Sequence, residues 1–123
     1  MDNIAEKTHK ALDETLAPEQ ALVPLSRDTG IPAVDESLDW LCRGSRSVID
    51  FGCGSGAMLF LCALRGTKNH FGIDPSPAVI RLARENAVQM KRGRYRFIEG
   101  GFERLGDIKD ASADAAILCN IVD

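Results

Sequence analysis

The chain has 123 residues, of which 45% are hydrophobic and 27% charged, and its formal net charge is −3. This size and balance are typical of one globular domain. The longest apolar run, Ala57–Leu64, is too short to span a bilayer, and the charged start MDNIAEKTHKALDE lacks the apolar segment of a signal peptide. We therefore expect a cytoplasmic protein without a membrane span.

The charge is unevenly distributed along the chain. Residues 1–50 hold ten acidic and five basic residues, whereas the stretch from Arg81 to Arg104 is basic, with MKRGRYR at its centre. We interpret the basic stretch as a solvated connection between a helix and a strand; the alternative is a patch for an anionic partner. Its one aromatic residue, Tyr95, does not form a repeated aromatic-basic pattern, so binding of nucleic acid is not expected.

The first elements in chain order are helical. Residues 4–16, IAEKTHKALDETL, have the spacing of an amphipathic helix. A loop follows at 18–31, and Pro32 suits the first turn of a second helix, PAVDESLDWLCR. Its buried face is predicted to contain Val34, Leu38 and Leu41, with Trp40 at the border. These patterns divide the chain into an N-terminal helix and loop (1–31) and a domain (32–123).

From Ser47 onward short apolar segments alternate with helical ones. The predicted strands are SVIDF, NHFGID, YRFIEG and a fourth within SADAAILCNIV, and the predicted helices between them are GAMLFLCALR and SPAVIRLARENAVQMK. Alternation of this kind is typical of a parallel sheet with right-handed crossovers. The predicted fold class is therefore α/β: a Rossmann-like parallel sheet with flanking helices, truncated after strand four, with helices at its N-terminus.

The cysteines and histidines do not predict a metal site. Cys42, Cys53, Cys62 and Cys119 form no C-x-x-C pair, and without a secretory signal we expect them to be reduced thiols. His9 and His70 lack the spacing of zinc ligands. Both histidines are expected to be ordinary surface or boundary residues.

Three alternating glycines, Gly52, Gly54 and Gly56, separate the first strand from its helix. In a parallel sheet this turn lies at the carboxyl end of the strand, where ligands bind. A dinucleotide and S-adenosylmethionine both fit the glycines, and both offer ribose hydroxyls to Asp74. Asp50 favours S-adenosylmethionine, because a carboxylate repels a pyrophosphate but attracts an ammonium and a sulfonium. An NAD-dependent oxidoreductase remains the alternative.

Four segments together resemble a known family. IDFGCGSG and GIDPSP are similar to motif I and the following acidic loop of the class I S-adenosylmethionine-dependent methyltransferases. FIEGGFERL resembles the segment after strand three of that family, and ADAAILCNIVD resembles strand four and its exit. The resemblance covers residues 34–123. It implies S-adenosyl-L-methionine as cofactor, S-adenosyl-L-homocysteine as product, and methyl transfer as the reaction.

The resemblance also implies roles for individual residues. Those at the methionine end of the cofactor would be Asp50, Gly52, Cys53, Gly54 and Gly56, closed by backbone groups of Cys119 and Asn120. Asp74 would accept hydrogen bonds from both ribose hydroxyls. The residues against the adenine would be Pro75, Ser76 and Phe102. At Gly101 the chain departs from many relatives, which have there an acid that binds the adenine amino group.

The family's sheet has seven strands, and this sequence supplies four. An apolar fourth strand would then be an edge, which predicts a homodimer through that edge or cover by the helix 4–16. No catalytic residue is predicted. The segment CNIVD resembles the small-molecule methyltransferases, so a small-molecule acceptor is expected. The alternatives are an RNA methyltransferase and a non-catalytic nucleotide- or S-adenosylmethionine-binding module.

Overall fold

The computed structural model describes residues 23–24, 26–108 and 113–118. The elements alternate as predicted from Pro32 onward: α1 (Pro32–Cys42), β1 (Ser47–Phe51), α2 (Ala57–Leu64), β2 (Asn69–Asp74), α3 (Pro77–Met90), β3 (Arg94–Glu99), a 3₁₀ helix (Phe102–Asp107) and β4 (Ala115–Ile117). The predicted helix 4–16 and the candidate residues Cys119 and Asn120 lie outside the described residues.

The four strands form one parallel sheet in the order β3-β2-β1-β4. β1 is central, with Asp50 opposite Gly72 of β2 on one side and Ile117 of β4 on the other. The predicted fold class, a Rossmann-like α/β sheet with flanking helices, is confirmed. In such a sheet the loops after β1 and β2 lie at the same carboxyl edge, and the strand order reverses beside them, between β1 and β4.

Apolar side chains cover both faces of the sheet, because successive residues of a strand point to opposite sides. Val48 packs with the helices in the larger cluster, which also contains Leu38, Phe60 and Ile80. On the opposite face a smaller cluster consists of Ile49, Phe51, Ile73 and Ile98. The alternation places Asp50 on the same face as Val48, toward the helices.

α2 is the most deeply buried helix. All of its residues from Ala57 to Ala63 are buried, which explains why its sequence is apolar all round. It has eight residues. Among the described residues no helix has both the length and the apolar character needed to cross a membrane.

The predicted burial of α1 and of His70 needs correction. In α1 the buried residues are Val34, Leu38 and Cys42, while Leu41 is half-buried and Trp40 is 75% exposed. His70 is 1% exposed, so it is neither a surface nor a boundary residue. Its ring nitrogens lie 2.7 Å from Thr67 Oγ1 and 2.9 Å from the carbonyl oxygen of Arg94, which satisfy both polar atoms of the buried ring.

Candidate functional site: the glycine turn after β1

The turn between β1 and α2 has left-handed backbone at each of its glycines. The φ angles are +74° at Gly52, +56° at Gly54 and +96° at Gly56. A side chain would be strained at these angles. At Gly56 it would also collide, since a Cβ there would lie 2.8 Å from the Phe60 ring. The turn therefore presents bare backbone at the carboxyl end of the central strand.

Asp74, at the end of β2, holds the turn in place. Its Oδ2 accepts a hydrogen bond from Gly54 N at 3.0 Å, and its Oδ1 accepts one from Ser76 N at 3.0 Å. Gly52 N and Cys53 N donate to the carbonyl oxygen of Ile73 at 2.7 and 3.1 Å. A carboxylate has about four acceptor positions, so Asp74 can accept further hydrogen bonds while it holds the turn.

Asp50, in β1 and two residues before Gly52, is 0% exposed. Neither carboxylate oxygen has a hydrogen-bond partner among the described residues. Burial and the nearby negative charge of Asp74 raise the pKa of Asp50 well above its usual range. A buried acid without a partner is costly, and a cation bound near the turn would relieve that cost.

Two predicted site residues use their side chains in the fold. The thiol of Cys53 is fully buried in the larger cluster, and burial raises its pKa. The hydroxyl of Ser76 caps α3 by accepting a hydrogen bond from Val79 N at 3.3 Å. Both residues adjoin the candidate site through their backbone.

A cavity of about 220 Å³ lies beside the turn. It is lined by Phe51, Gly52, Ile73, Pro75, Gly100, Gly101 and Phe102. The Phe102 ring is 54% exposed and lies 4.8 Å, centroid to centroid, from the Phe51 ring. This cavity, called the slit below, is lined by apolar side chains, with glycine backbone at Gly52, Gly100 and Gly101, and such a lining suits an apolar ring system. It brings together the predicted residues Gly52, Pro75, Gly101 and Phe102.

Sequence reasoning missed two polar residues next to the site. Asn86 is 0% exposed, and its Nδ2 donates a hydrogen bond to the carbonyl oxygen of Ser55 at 3.1 Å. Glu103 accepts a hydrogen bond from Gly101 N at 2.9 Å through Oε1. A buried polar residue in an otherwise apolar helix face was the available signal for Asn86. The signal for Glu103 was its position: it is an acid two residues after Gly101, where many relatives have an acid.

Comparison with known proteins now decides the family. A profile of the family described as "Methyltransferase domain" matches residues 44–122. The chain belongs to this methyltransferase family. The predicted membership of the class I S-adenosylmethionine-dependent methyltransferases is confirmed, and with it the family's cofactor. The nicotinamide alternative loses its support.

Curated methyltransferases resemble the chain over part of their length. The ribosomal protein L11 methyltransferase of Laribacter hongkongensis is 34% identical over 83 residues, which are 59% of this chain and 28% of the relative. The one of Ralstonia nicotianae is 28% identical over 111 residues, 82% of this chain and 35% of the relative. The chain thus spans about a third of the length of these relatives.

Two solved structures share the fold. The plantazolicin methyltransferase BamL, crystallised with S-adenosylhomocysteine and a desmethylplantazolicin analogue, matches with a TM-score of 0.56 and 19% identity, over 89% of this chain and 38% of BamL. Monomeric WbdD matches with a TM-score of 0.55 and 23% identity, over 72% of this chain and 22% of WbdD. At these identities the likeness concerns the fold alone.

Proposed function

We propose that this chain forms the cofactor-binding part of an S-adenosylmethionine-dependent methyltransferase. The observation that carries the proposal is the glycine turn held to Asp74, together with the buried carboxylate of Asp50 in β1, which has no hydrogen-bond partner among the described residues. The three features lie at the carboxyl edge of neighbouring strands, where an α/β sheet binds its ligands.

The residues fit this cofactor better than they fit an anionic one. Asp50 has no partner among the described residues, and a ligand with an ammonium and a sulfonium would supply the missing positive charge. Asp74 keeps acceptor capacity for ribose hydroxyls. The slit between Pro75 and Phe102 suits the adenine. We therefore propose that the turn from Gly52 to Gly56 holds the methionine end; Cys119 and Asn120 stay predicted neighbours of that end.

The bound cofactor supplies a methyl group already activated by its sulfonium. The residues of this chain would bind it, orient it and exclude water from one side, which are the main contributions a protein makes to such a transfer. None of the described residues is proposed as a catalytic base. The chain is therefore proposed as the part that positions the methyl donor.

Calorimetric titration of the 123-residue chain with S-adenosylhomocysteine, with NAD in parallel, tests the proposal. We expect binding of the first ligand and none of the second. Asp74→Asn should weaken binding about tenfold or more, because it removes a charged acceptor. Glu36→Gln, an exposed change on α1, is the matched control. Binding of NAD alone, or of neither ligand, would contradict the proposal.

Two classes of methyl acceptor are proposed for testing. The segment CNIVD suggests a small molecule, whereas the curated relatives are named for a ribosomal protein. Methyl transfer from labelled S-adenosylmethionine to purified ribosomal protein L11, compared with a panel of small acceptors, distinguishes them. Cofactor binding without transfer to any acceptor would favour the alternative of a non-catalytic binding module.

A nucleic-acid acceptor stays an alternative, and three arginines of the basic stretch contact the backbone around β3. Arg84, Arg96 and Arg104 line a groove of about 670 Å³ beside β3. Each donates a hydrogen bond to a backbone carbonyl oxygen, of Phe97, Asp107 and Glu99 respectively. These arginines thus support the fold around β3.

A homodimer through β4 also stays a proposal, as does a cytoplasmic location. Among the described residues, β4 pairs only with β1. A groove of about 520 Å³ runs beside it, bounded by Trp40, Leu41, Arg43, Ser45, Asp114, Ala115 and Ala116. Apolar strand edges favour pairing with another chain. Light scattering across a dilution series tests this, and a monomer at every concentration would contradict it.

A further inference from the structure

Three segments of the fold carry a similar set of basic residues. The loop between α1 and β1 has the sequence RGSR (43–46), the loop between α2 and β2 has RGTK (65–68), and the segment that leads into β3 has KRGR (91–94). None of the three contains an acidic residue, although the whole chain has a net charge of −3. Only the third belongs to the basic stretch noted in the sequence, so the sequence alone does not show that they belong together.

The parallel sheet brings these three segments to one place. Each of them precedes a strand, so all three lie at the amino edge of the sheet, opposite the carboxyl edge that holds the glycine turn. Lys68 N donates a hydrogen bond to the carbonyl oxygen of Arg46 at 2.8 Å, and Arg94 N donates one to the carbonyl oxygen of Lys68 at 2.7 Å. The backbones of these three residues therefore lie side by side, at the strand spacing of about 4.8 Å.

Six basic residues of this amino edge are exposed. They are called the basic edge below and consist of Arg43, Arg46, Lys68, Lys91, Arg92 and Arg94. The remaining base of the three segments, Arg65, has a side chain that is 2% exposed and paired with Asp35 and Asp39. Within the described part of the chain, no side chain of the basic edge forms an ion pair or a hydrogen bond.

The acid Asp114 lies beside the basic edge. Its Oδ2 accepts hydrogen bonds from the backbone N–H groups of Arg46 and Ser47 at 2.8 and 2.9 Å. These hydrogen bonds, together with the charge of Arg46, lower the pKa of Asp114, which is therefore ionised at neutral pH. One negative charge offsets only part of six positive ones, so the edge attracts an extended anion.

The residue types of the basic edge suit phosphate groups. Four of its six bases are arginines, whose planar guanidinium groups can bind a phosphate through two parallel hydrogen bonds. A nucleic-acid strand carries one negative charge on every nucleotide. Such a strand can therefore contact bases that stand side by side on successive strands of the sheet.

An exposed tryptophan lies at one end of the basic edge. Trp40, near the end of α1, is 75% exposed and lines a groove together with Arg43 and Ser45. An exposed indole beside an arginine offers a stacking surface for an unpaired base. An acidic peptide has no base to stack there, so this pair of residues favours a single-stranded nucleic acid.

We propose that the basic edge, with Trp40 at its end, binds a single-stranded nucleic acid through its phosphates and one stacked base. Strands of five or six residues separate this edge from the glycine turn, a distance of about 17–20 Å. The basic edge is therefore too far from the proposed cofactor site to present a methyl acceptor there. Its role is to hold a partner, and the inference does not depend on the proposed function.

Fluorescence anisotropy of a labelled oligouridine of about 20 nucleotides, longer than a typical single-strand site, tests the proposal. The logarithm of the binding constant should fall with the logarithm of salt concentration, with a slope of about −3 to −4 for four to six phosphate contacts. The triple variant Arg46→Gln/Lys68→Gln/Arg94→Gln has one change in each segment. It should reduce the slope by about 2 and weaken binding by about tenfold or more.

A matched pair of single variants separates this surface from net charge. Lys68→Gln and Arg81→Gln, an exposed change on α3, each remove one positive charge. Only the first should reduce the slope, by about 0.7. Urea unfolding should show that the triple variant is as stable as the wild type, because its replaced side chains contact no described residue. An unchanged slope in the triple variant would overturn the proposal.

Trp40 provides a second measurement, because it is the single tryptophan of the chain. Binding of the oligouridine should quench the intrinsic tryptophan fluorescence, and Trp40→Ala should weaken binding by about fivefold or more without changing the salt slope. Polyglutamate and vesicles of phosphatidylserine are the competing probes. Binding of either as tightly as the oligouridine, or no binding of the oligouridine, would overturn the proposal. Affinity for S-adenosylhomocysteine is measured separately, so none of these outcomes affects the proposed function.

Discussion

The side chain of Asn86, in α3, donates a hydrogen bond from Nδ2 to the backbone carbonyl of Ser55 in the glycine turn, at 3.1 Å. Both partners are buried. The turn is thus held from two directions, by Asp74 at the end of β2 and by Asn86 from the helix that follows it. Since the turn is where the cofactor is proposed to bind, these contacts link helix packing to ligand affinity.

Replacement of Asn86 by alanine should therefore affect both stability and binding. Loss of the donor leaves the Ser55 carbonyl buried without a partner, and we expect the free energy of unfolding to fall by about 1–3 kcal/mol. Affinity for S-adenosylhomocysteine should fall by about tenfold at a temperature where the variant is folded. Urea unfolding and calorimetry measure the two effects. Gln89→Ala, an exposed change on the same helix, should change neither, and an unaltered affinity in the Asn86 variant would show that Asp74 suffices to hold the turn.

Asp50→Asn should have opposite effects on stability and binding. The pKa of Asp50 is raised by burial, so the unliganded protein is most stable when this group is protonated, and that contribution disappears as pH rises through the raised pKa. At pH 8 the neutral asparagine should raise the free energy of unfolding by about 1 kcal/mol. It should also weaken the binding of S-adenosylmethionine, which carries the complementary positive charge.

The same residue should couple ligand binding to proton release. A cation beside the buried carboxyl lowers its pKa, so a proton leaves Asp50 when the ligand binds and affinity rises with pH. Calorimetry in two buffers of different ionisation enthalpy measures the number of protons released. The wild-type chain should release a fraction of a proton and Asp50→Asn none. Equal release by both proteins would assign the proton to another group.

His70 should make stability depend on pH in the acidic range. Burial lowers its pKa from the usual value of 6.5, so the unfolded chain takes up a proton more readily than the folded one. The stabilising contribution is complete above pH 6.5 and is lost as pH falls toward the lowered pKa. The raised pKa of Asp50 makes stability change with pH in the opposite direction. The contribution of His70 is therefore measured as the difference in unfolding free energy between the wild type and His70→Gln. The difference in their unfolding free energies should shrink between pH 7.5 and pH 5; a constant difference would contradict the assignment.

Arg65 joins α1 to the end of α2 through a guanidinium that is 2% exposed. Its Nε donates to Asp39 Oδ1 at 2.7 Å, its Nη1 to the carbonyl oxygen of Arg27 at 2.6 Å, and its Nη2 to Asp35 Oδ1 at 3.3 Å. Lysine cannot reproduce this forked geometry. We expect Arg65→Lys to lower the free energy of unfolding in urea by about 2 kcal/mol. The exposed change Arg81→Lys should cost nothing measurable; equal stability of the two variants would show that the charge alone matters.

The features that could be predicted from sequence were those set by local pattern. The strand SVIDF, the helix start at Pro77 and the turn of Gly52, Gly54 and Gly56 follow from hydrophobic periodicity, the fixed φ of proline and the freedom of glycine. The parallel direction of the four strands followed from the alternation of strands and helices.

The features that could not be predicted depend on contacts between distant segments. His70 is buried because Thr67 and Arg94 satisfy its ring, which spacing along the chain does not reveal. The buried face of α1 ends at Cys42 instead of the predicted Leu41. Trp40, predicted at the border of that face, is therefore exposed. Glu103 reaches the position of a missing side chain because the 3₁₀ turn folds it back over Gly101.

Asp74 accepts hydrogen bonds from the backbone of Gly54 and Ser76, one with each carboxylate oxygen. The protein's own backbone thus orients the proposed ribose acceptor, and little conformational entropy remains to be lost at that point. Association should accordingly be fast and need no slow rearrangement of the two loops. Differences in affinity among variants of the slit should then appear mainly in the dissociation rate constant of the ligand, rather than in its association rate constant.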